Sequence, residues 1–187
     1  TCNTHDYILF FTNKGKVYWL KTYRIPTATR YSKGSNLVNL IRLDKGEVIN
    51  AIIPIKEFNE TENLVMATKN GLVKKTILSA FSNPRKGGII AIKLRDKDEL
   101  VKVKITDGNQ QLILGTRNGM AVKFDEKQVR QMGRNSSGVR GIKLVADKVV
   151  GMEIAHDNLS LLTITENGYG KRSSISEYRL INRGGKG

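Results

Sequence analysis

Cysteine is nearly absent from the 187 residues: Cys2 stands alone. No disulfide can form within the chain, and a reducing compartment is implied. Histidine is as scarce, and His5 and His156 stand far apart, with no second cysteine to complete a metal-ligand spacing. No G-x-x-x-x-G-K-[ST] string occurs. Gly184-Gly185-Lys186-Gly187 lacks the spacing and the hydroxyl that would reach magnesium, and Gly87-Gly88 does no better. No run approaches the ~18 apolar residues of a membrane span, and no signal peptide is predicted. Aromatic residues make up 6%, too few for the dense stacking platforms of single-strand or RNA-reading sheets. Carboxylates recur as one acidic turn per repeat, as a catalytic pair would not. Neither a catalytic residue nor a metal site is expected.

Acidic residues are outnumbered: seventeen Asp and Glu face thirty-two Lys and Arg, giving a net charge of +15. Such a balance implies a polyanionic partner, nucleic acid before membrane in a chain without an amphipathic helix. With 39% hydrophobic and 26% charged residues the composition is that of a folded globular chain. The chain opens on Thr1 rather than Met and stops at Lys186-Gly187, so it is expected to be a piece of a longer protein.

What is abundant is repetition. Thr12-Asn13-Lys14-Gly15, Thr68-Lys69-Asn70-Gly71, Thr116-Arg117-Asn118-Gly119 and Thr165-Glu166-Asn167-Gly168 each separate two short runs of β-formers. Their glycines stand 56, 48 and 49 residues apart, a period that marks a copied architecture. Asn-Gly between strands predicts a type I′ hairpin in the last three, and a longer turn at Asn13-Lys14-Gly15. A second glycine follows each hairpin: Gly34, Gly138 and Gly187 after 19 residues, Gly88 after 17. A third strand is expected next, at Leu37–Leu40, Ile89–Leu94 and Val139–Leu144, then an acidic turn and a fourth strand. Helix signals are thin, limited to a turn or two at Glu126–Met132 and Ser174–Leu180. Four strands in roughly 50 residues predict an all-β, propeller-like disc of four-stranded blades. Residues 1–187 then form part of one domain, with repeats near 1–50, 51–108, 109–156 and 157–187, the last incomplete.

Cations recur with the same period. Before the second glycine stand Arg30 and Lys33, Arg85 and Lys86, Arg134, then Arg183 and Lys186. After the hairpin glycine stand Lys74 and Lys75, Lys123, then Lys171 and Arg172, and Arg140 lies in the third strand of its repeat. These thirteen are the candidate DNA-binding residues. Aligned around a disc they would make a track suited to phosphates rather than base edges, so double-stranded DNA is the expected partner. Lys14, Lys69 and Arg117 at the turn tips are read instead as guards of exposed edges. A propeller scaffold for acidic proteins is the alternative from another class.

Four ordered stretches carry a resemblance. They are Thr4-His5-Asp6-Tyr7 leading into Phe11–Tyr18, Met66–Thr76, Gly133–Ile142 and Glu166–Arg172. Together they resemble the C-terminal domain of the DNA gyrase A subunit, over essentially the whole chain. The resemblance implies a β-pinwheel, in which blades exchange strands and a basic rim wraps duplex DNA. Gyrase then introduces negative supercoils by ATP-dependent strand passage. It also implies partners, namely the rest of the A subunit, with the B subunit, in an A2B2 holoenzyme. ATP and Mg would belong to that holoenzyme, with no cofactor in this chain, which alone would be a monomer. A cytoplasmic, nucleoid-associated location follows, with no membrane partner. The family's Q-R-R-G-G-K-G heptapeptide would lie upstream of Thr1; Asn182-Arg183-Gly184-Gly185-Lys186-Gly187 matches only its last part. The paralogous domain in the A subunit of topoisomerase IV, a decatenating enzyme, therefore stays open as an alternative.

Overall fold

The computed structural model describes residues 1–85 and 87–187. The described chain is all-β, with thirteen strands and a few 3-10 turns of three or four residues. Four hairpins form its frame: β1 (Tyr7–Thr12) with β2 (Lys16–Lys21), and β4 (Asn63–Thr68) with β5 (Leu72–Ile77). β8 (Gln111–Thr116) with β9 (Ala121–Asp125) and β12 (Ser160–Ile164) with β13 (Gly170–Ser174) follow.

The hairpin turns differ from expectation. Type I′ would need positive φ at the asparagines, yet among the described non-glycine residues only Lys97 and Ala146 have it. In all four turns the glycine N–H donates to the threonine carbonyl, at 3.0, 3.0, 3.2 and 3.0 Å, and the glycine alone is left-handed. This is a three-residue loop, a tight turn closed by a left-handed bulge glycine. The threonine Oγ1 accepts from the N–H four residues on, Leu72 to Thr68 at 3.2 Å and Met120 to Thr116 at 3.1 Å, for example. Thr12-Asn13-Lys14-Gly15 is therefore the same turn as the others, with no inserted residue.

The third strand of a repeat is given away. β6 (Ile89–Ile90) pairs with β2, in the hairpin of the preceding repeat, and β10 (Val139–Arg140) likewise pairs with β5. The fourth strand stays at home: β3 (Ile49–Ile55) on β1, β7 (Leu100–Thr106) on β4, β11 (Val149–Ala155) on β8. Sheets thus run β3-β1-β2-β6, β10-β5-β4-β7, β11-β8-β9 and β12-β13. This exchange makes the disc a β-pinwheel. It also explains why Leu37–Leu40 is not a strand. Within the 187 residues no earlier repeat supplies a hairpin for it, and Leu37–Asn39 forms a 3-10 turn capped by the Asn36 side chain. Leu37, Leu40 and Leu43 pack with Ile41 on Ile8, Phe10, Tyr18 and Leu20 instead.

The period-2 alternation of strand side chains turns each central sheet into a two-faced slab. Leu64 and Met66 of β4 join Leu9, Phe11, Val17 and Leu100 in one core. Val65 and Ala67, one residue out of phase, join Leu112, Leu114, Val122 and Phe124 in the next. Sheets therefore stack face to face, and one blade cannot bury its own apolar surface alone. The helix signals shrink to 3-10 turns at Glu126–Gln128 and Ile175–Glu177.

Candidate nucleic-acid interface

The loops before the second glycines are bonded to one another in series. Arg134 Nη1 donates to the Ile90 carbonyl at 3.5 Å, and Arg183 Nη1 donates to the equivalent carbonyl of Arg140. Lys93 N–H donates to Ser136 at 3.0 Å, and Lys143 N–H donates to Gly185 at 2.8 Å. One geometry thus repeats 49 to 50 residues on, and carries each basic loop onto the strand of the loop before it. Gly138 fits closely: its φ is +88° and a Cβ there would stand 2.5 Å from the Val73 carbonyl oxygen. Only glycine lets the loop backbone come this near.

Within this row Arg85 and Arg134 line a shared groove of about 490 Å³, with Asn83, Asn135 and the backbone at Gly88. Arg85, Arg140 and Lys186 are exposed, while Arg134 and Arg183 are half-buried. Gln128 steadies Arg183, its side-chain oxygen accepting from the arginine N–H at 2.7 Å and its carbonyl from Nε at 3.1 Å. Arg30 and Lys33 are exposed in the undocked first loop, and no described contact brings them to the row. Lys86 lies outside the described residues.

Three candidate cations do not face solvent. Lys74, Lys75 and Lys123 are 0%, 8% and 5% exposed, too little for a phosphate contact. Lys74 Nζ donates to the carbonyls of Ala91, at 2.8 Å, and of Arg134. Burial first, and the Arg134 charge second, push its pKa down to about 8. Lys75 Nζ donates to the Glu126 carbonyl at 3.0 Å, with the Glu126 carboxylate 3.8 Å away. Lys123 Nζ repeats the contact one blade later, to the Ile175 carbonyl at 3.2 Å and Asp157 at 3.0 Å. The expectation that these three meet DNA is corrected: they are struts between neighbouring blades. The cause is that β5 and the middle of β9 are covered on both faces, so neither side of the strand offers a lysine to solvent. Lys171 and Arg172 occupy the matching positions of β13 and are exposed there.

The remaining charge is unevenly neutralised. At the tips, Lys69 meets Glu99 at 3.0 Å, Arg117 meets Glu166 at 3.0 Å, and Lys14 Nζ donates to the Lys45 carbonyl at 2.7 Å. Arg30, Lys33, Arg85, Arg134, Arg140, Lys171, Arg172, Arg183 and Lys186 form no ion pair among the described residues. Sequence reasoning missed Lys93 and Lys143, exposed cations whose own N–H groups reach the next loop. Their 50-residue recurrence in Ile-Lys-Leu was the available signal. Among the described residues no cluster of three or more His, Cys, Asp or Glu could hold a metal ion. No described helix is long and apolar enough to cross a membrane.

Known proteins share this fold. A family model described as "DNA gyrase C-terminal domain, beta-propeller" matches residues 6–56, 62–107, 110–156 and 160–187. The chain is 48% identical over 191 aligned residues to the DNA gyrase A subunit of Staphylococcus aureus (strain NCTC 8325 / PS 47), covering 100% of this chain and 22% of that protein. It thus spans about a fifth of the curated relatives it matches. Among solved structures, a C-terminal domain of DNA topoisomerase IV superposes with TM-score 0.91 at 32% identity, covering 99% of this chain and 58% of the other. A DNA gyrase A C-terminal domain superposes with TM-score 0.83 at 33% identity, covering 99% and 60%. The chain belongs to the DNA gyrase A C-terminal domain family.

Proposed function

We propose that this chain is the non-catalytic DNA-binding and DNA-wrapping part of a gyrase A subunit, and that duplex DNA lies along the row of basic loops. The observation that carries this reading is the division of charge: the tip cations Lys69 and Arg117 are ion-paired with carboxylates, while the loop cations form no ion pair among the described residues. Unpaired cations at a regular step suit a phosphate backbone, whose condensed counterions they release on binding. Because successive loops are bonded in series on a twisting stack of sheets, a duplex following them is bent, and the bend has a hand. In the holoenzyme that handed wrap would bias strand passage toward negative supercoils, with ATP and Mg used by the B subunit and no cofactor in this chain. Work on chromosomal DNA would place it in the cytoplasm at the nucleoid.

The topoisomerase IV likeness supports a second reading, the equivalent domain in the A subunit of that enzyme. The 48% identity to gyrase A over the whole chain favours the first. The test is topological. A nicked plasmid is ligated with the chain bound, then deproteinised, and its linking number is compared with a protein-free control. Handed wrapping shifts the topoisomer distribution in proportion to bound protein; an unshifted distribution at saturation contradicts it.

A further inference from the structure

The first blade junction differs from the next two at one backbone position. Counted from the 3-10 turn that follows each hairpin, Met132 and Ile181 occupy the same place, and their N–H groups donate to the carbonyls of Lys75 and Lys123 at 2.8 and 2.9 Å. The same count from Leu78 arrives at Pro84, which has no N–H to donate. The residue opposite is Trp19, placed four after its hairpin glycine just as Lys75 and Lys123 are. At this one position no backbone bond is made among the described residues, and a pocket of about 760 Å³ opens there between β2, residues 39–42 and Pro84-Arg85.

Its lining is selective. Tyr7, Tyr18 and Tyr23 line it together with Trp19, three of the chain's six tyrosines and its single tryptophan. Four cations also line it, Lys21, Arg24, Arg42 and Arg85, and no carboxylate does. Lys21 is partly spent, donating to the His5 carbonyl at 2.8 Å and standing 3.4 Å from the centre of the Tyr7 ring. The three guanidiniums make no side-chain hydrogen bond or ion pair among the described residues. Tyr23 is 57% exposed at the rim.

We propose that this pocket binds an unpaired nucleotide, its base against Tyr23 and the Trp19 side and its phosphate on Arg24, Arg42 and Arg85. Guanidinium forks match phosphate oxygens two at a time. An aromatic wall beside unpaired cations is the pairing that holds unstacked bases. A duplex keeps its bases stacked inward and offers the concavity none. Arg85 also lines the groove of the loop row, so a strand leaving the duplex passes from one site to the other. The nucleotide can be free or part of an unpaired strand, and the test separates these sources.

Trp19 is the chain's single tryptophan, so its emission reports occupancy directly. The chain is titrated with dTMP, with an oligodeoxythymidylate and with a blunt-ended duplex, while duplex binding is followed separately by anisotropy of a labelled duplex. Saturable quenching by the oligonucleotide alone supports an unpaired strand as ligand; equal quenching by dTMP supports a free nucleotide. Tyr23→Ala and Arg24→Ala should each weaken that binding by about tenfold or more. Both should leave duplex affinity within about twofold, showing that each variant is folded. The proposal is overturned by any of three results. These are no quenching by either unpaired ligand, quenching by the blunt duplex as strong as by the oligonucleotide, and unchanged affinity in both variants.

Discussion

The loop of the first repeat and its later counterparts are built from similar residues and end in different structures. In the second and third repeats the segment after the second glycine docks on the hairpin of the preceding repeat. Ala91 and Ile92 donate to the Gly15 carbonyl at 2.8 and 3.1 Å, and Gly141 and Ile142 to the Gly71 carbonyl at 2.7 and 3.3 Å. In the first repeat the matching segment has no such hairpin among the 187 residues, and it folds over its own sheet as a 3-10 turn. A sequence repeat is therefore not a blade. The first two blades borrow their outer strands from the following repeats, so the basic loop, the glycine and the strand of one repeat are secured by the hairpin of another.

That difference can be broken at single residues. The largest effect is expected from Gly138→Ala, where a Cβ would meet the Val73 carbonyl at 2.5 Å in a left-handed backbone. Clash and strain together should cost roughly 2–4 kcal/mol. A thermal melt should fall by about 5–10 °C. Lys74→Met comes next. It leaves the carbonyls of Ala91 and Arg134 without their shared donor and should cost roughly 1–3 kcal/mol in a denaturant titration.

The same lysine supplies a pH dependence. Folding lowers its pKa to about 8, while the unfolded chain holds the proton to about 10.4. Between those values the unfolded state binds more protons, so the stability of the wild type should rise with pH relative to Lys74→Met, and fall again as pH drops through 8. Denaturation of both chains at about pH 7.5 and about pH 9.5 reads this difference, because groups common to both cancel. The smallest effect belongs to Gly34→Ala. No atom lies within 4 Å of where the added methyl would stand, and the backbone there is not left-handed, so stability should stay within about 0.5 kcal/mol.

Much of this was legible in the sequence, because turns and alternation are local. The Thr-x-x-Gly period marked the hairpins, and Val-Ile-Leu runs marked the home strands. The exchange of β6 and β10 was not legible, since pairing partners some 70 residues apart leave no mark on either strand. The inward turn of Lys74, Lys75 and Lys123 was hidden for a related reason. Lysine is read as a surface residue until the neighbouring blade supplies carbonyls for it. Pro84 was visible as a residue but not as a missing donor, because its significance needs Met132 and Ile181 in register beside it.

The central claim is that the loop row, and not the hairpin tips, holds the duplex. The direct measurement is the salt dependence of duplex affinity for the wild type, for Arg85→Glu/Arg140→Glu/Lys186→Glu, and for the tip variant Lys69→Ala. The loop variant should bind more weakly, and its log–log salt slope should be shallower by about 0.9 for each phosphate it no longer neutralises. The tip variant should match the wild type in both. Equal slopes and affinities for the loop variant and the wild type, or the weakening appearing in Lys69→Ala instead, would contradict the account.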